Sequence, residues 1–232
     1  MIYKIRLKNF EIIDYEDPIS KRIIETCKKS YGMNKKFFGQ DTYFFRIIIC
    51  NSEKRFKKEM KKLYAAWAKG GAVSNSKIVV RGPKEIIKCY IKYKGTKSLE
   101  KMLTHEICHI FMLNYPERFN TVKGPIWLFE GMATIVEDRK RKFPQIPKDF
   151  RFMEKNIFSY RRNKKKTDKF FTILYPFRYF LTKYLIDKYG KEKLLILIGT
   201  FAKKMKKADY LRNFQRIYGK KEKEMIKEFL KS

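Results

Sequence analysis

Short runs of β-branched and aromatic residues mark the first third of the chain. They occupy residues 1–13, 43–50 and 77–83, and a weaker run of the same kind covers 88–93. Runs of this length, bounded by polar or glycine-containing segments, are typical of β-strands. A small sheet is therefore expected near the N-terminus.

Two amphipathic helices are predicted between these strands. The first is expected to begin at Asp17-Pro18, where proline suits the first helical position, and to end at Tyr31-Gly32. The second begins after Ser52, a favourable N-cap, and continues to Gly70-Gly71. Both carry apolar side chains at the three- and four-residue intervals that place them on one helical face.

Helical spacing dominates the remaining chain. One helix is expected over 97–114, where Tyr115-Pro116 should end it. Another should begin near Pro125, because proline is well tolerated in a first helical turn. Apolar residues return to helical spacing at Phe170 and keep it to the end of the chain.

Residues 139–169 interrupt this helical pattern. The segment contains two prolines, is strongly basic, and has aromatic residues interleaved with the basic ones. We therefore expect a long exposed loop there. The pattern as a whole predicts an α+β fold, with an N-terminal α/β domain at 1–114 and a helical C-terminal domain at 115–232 that contains the loop.

The charge of the chain raises the question of an anionic partner. There are 56 Lys+Arg and 24 Asp+Glu, which give a formal net charge of +32. Such an excess favours a polyanionic partner or an acidic substrate. A lysine-rich surface set by biased composition explains the charge equally well. A nucleic acid bound through the basic surface therefore stays open at this point.

Cysteine usage and hydropathy indicate the compartment. The four cysteines form no CxxC pair and lie mostly in apolar patterns, which is typical of reduced, buried thiols. The N-terminus lacks the apolar core of a signal peptide. The longest apolar run, LLILIG at 194–199, is too short to cross a bilayer. These features predict a cytoplasmic protein without a membrane partner.

The stretch THEICHIFM, residues 104–112, contains both histidines of the chain. On the predicted helix His105 and His109 project from the same face, so their ring nitrogens can reach one metal ion. Glu106 lies at the edge of that face, within reach of a water molecule on the ion. The pattern predicts a single catalytic zinc ion, against the alternative of two ordinary helical imidazoles beside a surface carboxylate.

A catalytic zinc ion commonly has three protein ligands, so one ligand remains to be found. The chain has no third histidine, and Met112 and Tyr115 stand where a metzincin would need glycine and histidine. A carboxylate or a thiolate remains. Glu130, in the first turns of the next predicted helix, is the favoured ligand; as an alternative, its charge simply complements the helix dipole. The other downstream carboxylates are Glu117, Glu137 and Asp138.

Two phrases of the sequence together resemble a known family. LTHEICHIFM followed by GPIWLFEGMATIVED is similar to the gluzincin metallopeptidases of the MA clan, especially small peptidase-MA-like proteins with a Trp-Leu-x-Glu-Gly-x-Ala phrase. Weaker similarity at the flanks extends the resemblance over roughly residues 43–200. It implies a zincin-like fold in which a small mixed sheet and the active-site helix precede a mainly helical part.

The resemblance also implies an activity and the residues that perform it. The protein would be a zinc-dependent hydrolase that cleaves peptide or protein substrates, which pair as an extra strand along a sheet edge; residues 77–81 are the expected edge. Thr134 stands where thermolysin-like members carry an aspartate that orients a zinc-bound histidine. The implied roles are zinc binding by His105, His109 and Glu130, general base catalysis by Glu106, and oxyanion stabilisation by Tyr175.

Two other functions remain compatible with the sequence. A zinc protein associated with nucleic acid would contact phosphates and bases through the basic, aromatic stretch at 139–169. A degenerate zincin would keep the fold as a scaffold without catalysis. The presence of both histidines together with Glu106 and Glu130 argues against the scaffold.

Overall fold

The computed structural model of the protein describes residues 2–66, 68–93, 98–115, 125–137, 167–201 and 205–231. The side chains of residues 90, 92, 93 and 167–175 lie outside this description. The chain forms two compact units, Met1–Thr121 and Val122–Ser232.

A five-stranded mixed sheet forms the centre of the first unit. Its strands are β1 (Tyr3–Arg6), β2 (Phe10–Asp14), β3 (Phe45–Cys50), β4 (Gly70–Ser74) and β5 (Lys77–Arg81). They lie in the order β1-β2-β3-β5-β4. The three inner strands are parallel to one another, and the two outer strands are antiparallel to their neighbours. Residues from both faces of the inner strands are buried, as expected for parallel strands covered on both sides.

Helices cover this sheet. They are α1 (Lys21–Phe38), α2 (Glu53–Met60), α3 (Pro83–Tyr93) and α4 (Leu99–Asn114), with a 3-10 turn at Lys61–Leu63. Helix α1 packs against α4, and α4 packs against β4 and β5. Phe56 and Met60 of α2 join a separate apolar cluster with Ile48 and Val79. The sheet therefore has a core on each side.

The second unit is helical in its described parts. Its helices are α5 (Ile126–Glu137), α6 (Thr167–Tyr189), α7 (Lys191–Gly199), α8 (Lys207–Tyr218) and α9 (Glu222–Phe229). Helix α5 packs chiefly against α6. Within the described ranges, every helix of the protein is too short or too polar to span a lipid bilayer.

The predicted α+β fold class is confirmed: a small mixed sheet and the helix with both histidines precede a helical remainder. The edge of the sheet was predicted wrongly. Residues 77–81 form β5, which pairs with both β3 and β4, so β4 is the edge strand among the described residues. The sequence of β4, GGAVS, hides this strand because glycine disfavours strands.

Three other element boundaries differ from the prediction. Residues 88–93 belong to helix α3, whose first residue is Pro83. Helix α2 ends at Met60 and does not reach Gly70. Helix α1 begins after Ser20, whose hydroxyl accepts the Ile23 N–H, and runs past Gly32 because residues beyond it still face the core. Exposed Gly32 is tolerated inside a helix whose buried face continues.

Helices α5 and α6 approach closely at Gly131. A β-carbon at this position would lie 2.1 Å from Oγ1 of Thr182 and 2.5 Å from the carbonyl oxygen of Arg178. Only glycine leaves room for the α6 backbone there. In contrast, a β-carbon at Gly32 would meet nothing within 4 Å.

A carboxylate is buried in the core of the second unit. Glu222, the first residue of α9, is 2% exposed. Its Oε1 accepts hydrogen bonds from Nε1 of Trp127, at 3.0 Å, and from the hydroxyl of Tyr210. Burial raises the pKa of Glu222 to about 7 from its usual 4.5, although both hydrogen bonds and nearby Lys207 act in the opposite direction.

The contact at Gly131 predicts an asymmetry between two glycine substitutions. Gly131→Ala should lower the free energy of unfolding by about 1–3 kcal/mol, because its methyl group forces the α6 backbone away. The control Gly32→Ala, also within a helix, should raise the free energy by up to about 1 kcal/mol through alanine's better helix propensity. Chemical denaturation measures both. Equal effects of the two substitutions would contradict the close contact.

The buried carboxyl predicts a pH-dependent stability. Between about pH 4.5 and about pH 7 the folded chain keeps a proton on Glu222 that the unfolded chain releases. The contribution of this proton to the free energy of unfolding is fully present below about pH 4.5 and is lost as the pH rises through about 7. Between about pH 5 and about pH 8 the wild type should lose about 2–3 kcal/mol relative to Glu222→Gln. Chemical denaturation at several pH values measures this difference. If the difference between wild type and Glu222→Gln stayed constant with pH, the raised pKa of Glu222 would be contradicted.

Candidate functional site

Helix α4 carries both histidines and is well defined at each end. Ser98 is its N-cap, and the serine hydroxyl accepts the N–H of Lys101 at 3.3 Å. Tyr115 is extended at the C-cap, as expected for a residue before proline. The histidines therefore lie in the middle turns, where the helical backbone is regular.

Buried polar groups attach α4 to α1 beside the first histidine. Nδ2 of Asn34 donates to the carbonyl oxygens of Ser30 and Thr104, each at 3.0 Å. The hydroxyl of Ser30 on α1 donates to the carbonyl oxygen of Glu100 on α4 at 3.2 Å. Asn34 and Thr104 are fully buried. Because Thr104 directly precedes His105, these bonds fix the helix rotation at the start of the motif.

The two imidazoles lie side by side on α4. The ring centroids of His105 and His109 are 4.9 Å apart, with an angle of 81° between the ring planes. Both residues are half-buried, whereas Leu103, Ile107 and Ile110 on the rest of the helix are fully buried. The apolar face thus packs into the core and leaves the imidazole face accessible.

Glu106 is 9% exposed and lies against the start of edge strand β4. A β-carbon on Gly70 would be 3.2 Å from Cγ of Glu106 and 3.3 Å from Cγ of Met102. A larger residue at position 70 would therefore push the glutamate side chain. Gly70 was not predicted as a site residue, because Gly70-Gly71 was expected only to end a helix.

Glu130 lies on α5, which begins just after Pro125. The N–H groups of Leu128 and Phe129 donate to the carbonyl oxygen of Pro125, at 3.0 and 3.3 Å. Trp127 and Leu128 are fully buried, whereas Glu130 is half-buried. Helix α5 therefore anchors its apolar residues and keeps the carboxylate of Glu130 accessible.

Gly131, next to Glu130, lies against α6. The atoms that a β-carbon at position 131 would meet belong to that helix. Thr134, one turn after Glu130, donates its hydroxyl to the Glu130 carbonyl at 2.8 Å. Its side chain is thus bonded to its own helix.

His105, His109 and Glu130 form a group that could hold a metal ion. Each offers one ligand atom, and these three atoms lie within 4.8 Å of one another. Tetrahedral zinc ligands are about 3.4 Å apart, so the spacing is of the right order. Two imidazole nitrogens and one carboxylate oxygen are also a donor set that zinc accepts. The three residues fit a metal ion in number, chemistry and proximity.

Two predicted features fall outside the described part of the protein. Tyr175 lies within α6, but its side chain is not described. Of the basic stretch 139–169, residues 139–166 lie outside the described part of the protein. The roles proposed for Tyr175 and for this stretch therefore stay predictions.

Comparison with known proteins supports the resemblance of the two motifs to the MA clan. None of the curated proteins compared with the chain matches it. The family profile of the Peptidase MA superfamily, however, matches residues 43–228, which is well over half of the chain. The match includes both histidines, Glu106 and Glu130, and it agrees with the zincin-like α+β fold. The chain therefore belongs to the Peptidase MA superfamily.

Proposed function

We propose that the protein is a zinc-dependent metallopeptidase of the gluzincin type. The observation that carries the proposal is the group of His105, His109 and Glu130, with ligand atoms within 4.8 Å of one another. Membership of the Peptidase MA superfamily supports the same activity. In this proposal the three residues hold one catalytic zinc ion.

The proposed chemistry needs a proton acceptor beside the metal. When bound, the ion would supply Lewis-acid activation of a water molecule and of the substrate carbonyl. Glu106 follows His105 directly and is the proposed general base. Its carboxylate takes the proton of the attacking water and later gives it to the leaving amine. The packing of its Cγ near Gly70 restricts the side chain to few positions.

Strand β4 is the proposed docking edge for substrate. It pairs with β5 on one side, and it is the last strand of the described sheet on the other. Gly70 at its start lies beside Glu106. An extended peptide can add to such an edge through main-chain hydrogen bonds. The proposal therefore brings the scissile bond to Glu106 along β4 rather than β5.

Three further parts of the proposal concern the charge of the substrate, the location of the reaction and the oxyanion. The net charge of +32 favours acidic peptides or proteins as substrates. All four cysteines lie within the described residues, where they are buried and form no disulfide, which agrees with a cytoplasmic location for the reaction. Tyr175 is proposed as the oxyanion stabiliser on the family resemblance alone.

The general-base role predicts a specific defect in Glu106→Gln. The variant should keep one zinc ion per chain but lose peptide cleavage by about 100-fold or more, since the amide cannot accept the proton. Metal analysis and digestion of a peptide library measure the two properties. Glu100→Gln, on the exposed side of the same helix, is the matched control and should change neither. Cleavage by Glu106→Gln at the wild-type rate would overturn the mechanism.

The ligand role of Glu130 predicts a difference between two carboxylates of α5. Glu130→Ala should weaken zinc binding by about 100-fold or more, because the ion loses one of three protein ligands. Glu137→Ala, at the end of the same helix, should leave zinc affinity unchanged. Competition with a chromogenic chelator measures both. Equal affinity of Glu130→Ala and wild type would exclude Glu130 as a ligand.

A further inference from the structure

Three helices of the second unit meet at one buried carboxylate. Glu222 of α9 accepts the indole N–H of Trp127 from α5 and the hydroxyl of Tyr210 from α8. Trp127 is fully buried, and Tyr210 and Glu222 are 4% and 2% exposed. We call these three residues the Glu222 clamp. It has no part in the proposed chemistry, and the sequence pattern did not indicate it.

A carboxylate at such a position is costly. Burial disfavours its charged form, which is why the pKa of Glu222 rises to about 7. Apolar residues of similar volume often replace buried charged groups without loss of stability. Because both donors converge on the same oxygen, Oε1, the carboxylate fixes the direction of the Trp127 indole rather than merely filling space.

The orientation of this indole bears directly on Glu130. Trp127 and Glu130 are three residues apart on α5, so they lie one above the other on neighbouring turns. Gly131, the residue after Glu130, is pressed against the α6 backbone. Helix α5 is thus held on one side by the Glu222 clamp and on another by α6, with Glu130 between the two attachments in sequence.

Small rotations of α5 would matter for a metal ligand. Side-chain atoms lie roughly 5–6 Å from a helix axis, so a rotation of about 10° moves them by about 1 Å. Metal–ligand distances tolerate only about 0.2 Å. A hydrogen bond that fixes the rotation of α5 therefore fixes the Glu130 carboxylate in the position where an ion can use it.

We propose that Glu222 is a positioning residue, which sets the place of the Glu130 carboxylate through its hydrogen bond to Trp127. The proposal rests on the proposed function, because it takes Glu130 to be a metal ligand. Glu222 itself touches neither metal nor substrate. Its effect passes through the rotation of α5.

The test is zinc affinity, measured by chelator competition well below the unfolding temperature of each variant. Glu222→Leu removes the acceptor and Trp127→Phe removes the donor while keeping a ring. Each should weaken zinc binding by about 10-fold, within the range seen for residues that orient metal ligands. The double variant should be no weaker than either single variant, because both break one bond.

Two controls separate positioning from general stability. Glu222→Gln keeps an acceptor oxygen for the indole and should retain affinity within about threefold of the wild type. Met225→Ala removes a buried side chain from the same helix, α9, but changes neither Glu222 nor its two hydrogen-bond donors. It should lower the unfolding temperature yet leave zinc affinity unchanged. In the metal-free protein, Glu222→Leu should also change the near-ultraviolet circular dichroism, because the Trp127 indole loses the hydrogen bond that fixes its direction.

Each outcome decides between the two proposals. Wild-type affinity in Glu222→Leu and Trp127→Phe would overturn the positioning role and leave the proposed function intact. Weakening by Met225→Ala equal to that by Glu222→Leu would also overturn it, since the effect would then follow stability. A wild-type protein that binds no zinc would overturn the proposed function together with the positioning role.

Discussion

A metal ion bound by side chains from separate helices requires each helix to be fixed against rotation about its own axis. The helix backbone sets the spacing within a motif, but it does not set the direction in which the motif faces. Most features around the candidate site meet this requirement. Apolar burial gives each helix a rough orientation, and a few buried hydrogen bonds refine it.

The histidine helix shows how the two effects combine. Its apolar face packs on β4, β5 and α1, which turns the imidazole face outward. The side-chain amide of Asn34 on α1 then donates to the carbonyl oxygen of Thr104 on α4, which links the two helices beside His105. These groups are buried, so leaving their donors unpaired would cost free energy and the register between the helices is specific. Gly70 adds a close contact at Glu106.

Helix α5 follows the same principle with different chemistry. Its small residue Gly131 brings the α6 backbone close, and Trp127 reaches a buried carboxylate. The α6 contact depends on shape and the Glu222 contact on hydrogen bonding. Together they restrain both the depth and the rotation of the helix that carries Glu130.

The sequence predicted the local chemistry of the site better than the packing of the strands and helices around it. The four-residue spacing of the histidines and the start of α5 at Pro125 follow from helix geometry, so both were evident from the sequence. Strand β4 was missed because its glycines conceal strand propensity. Glu222 was missed because nothing in an amphipathic tail distinguishes a glutamate that enters the core from its solvated neighbours. Long-range contacts such as Glu222 to Trp127 have no local signature.

In the proposed site, two imidazoles and one carboxylate hold a single zinc ion. X-ray absorption spectroscopy of the zinc-loaded protein tests this ligand set, because it reports the atoms bound to the metal. We predict about four nitrogen or oxygen neighbours near 2.0–2.1 Å, two of them with the outer-shell scattering of imidazole. A sulfur neighbour at about 2.3 Å, or a shell without imidazole, would exclude this ligand set.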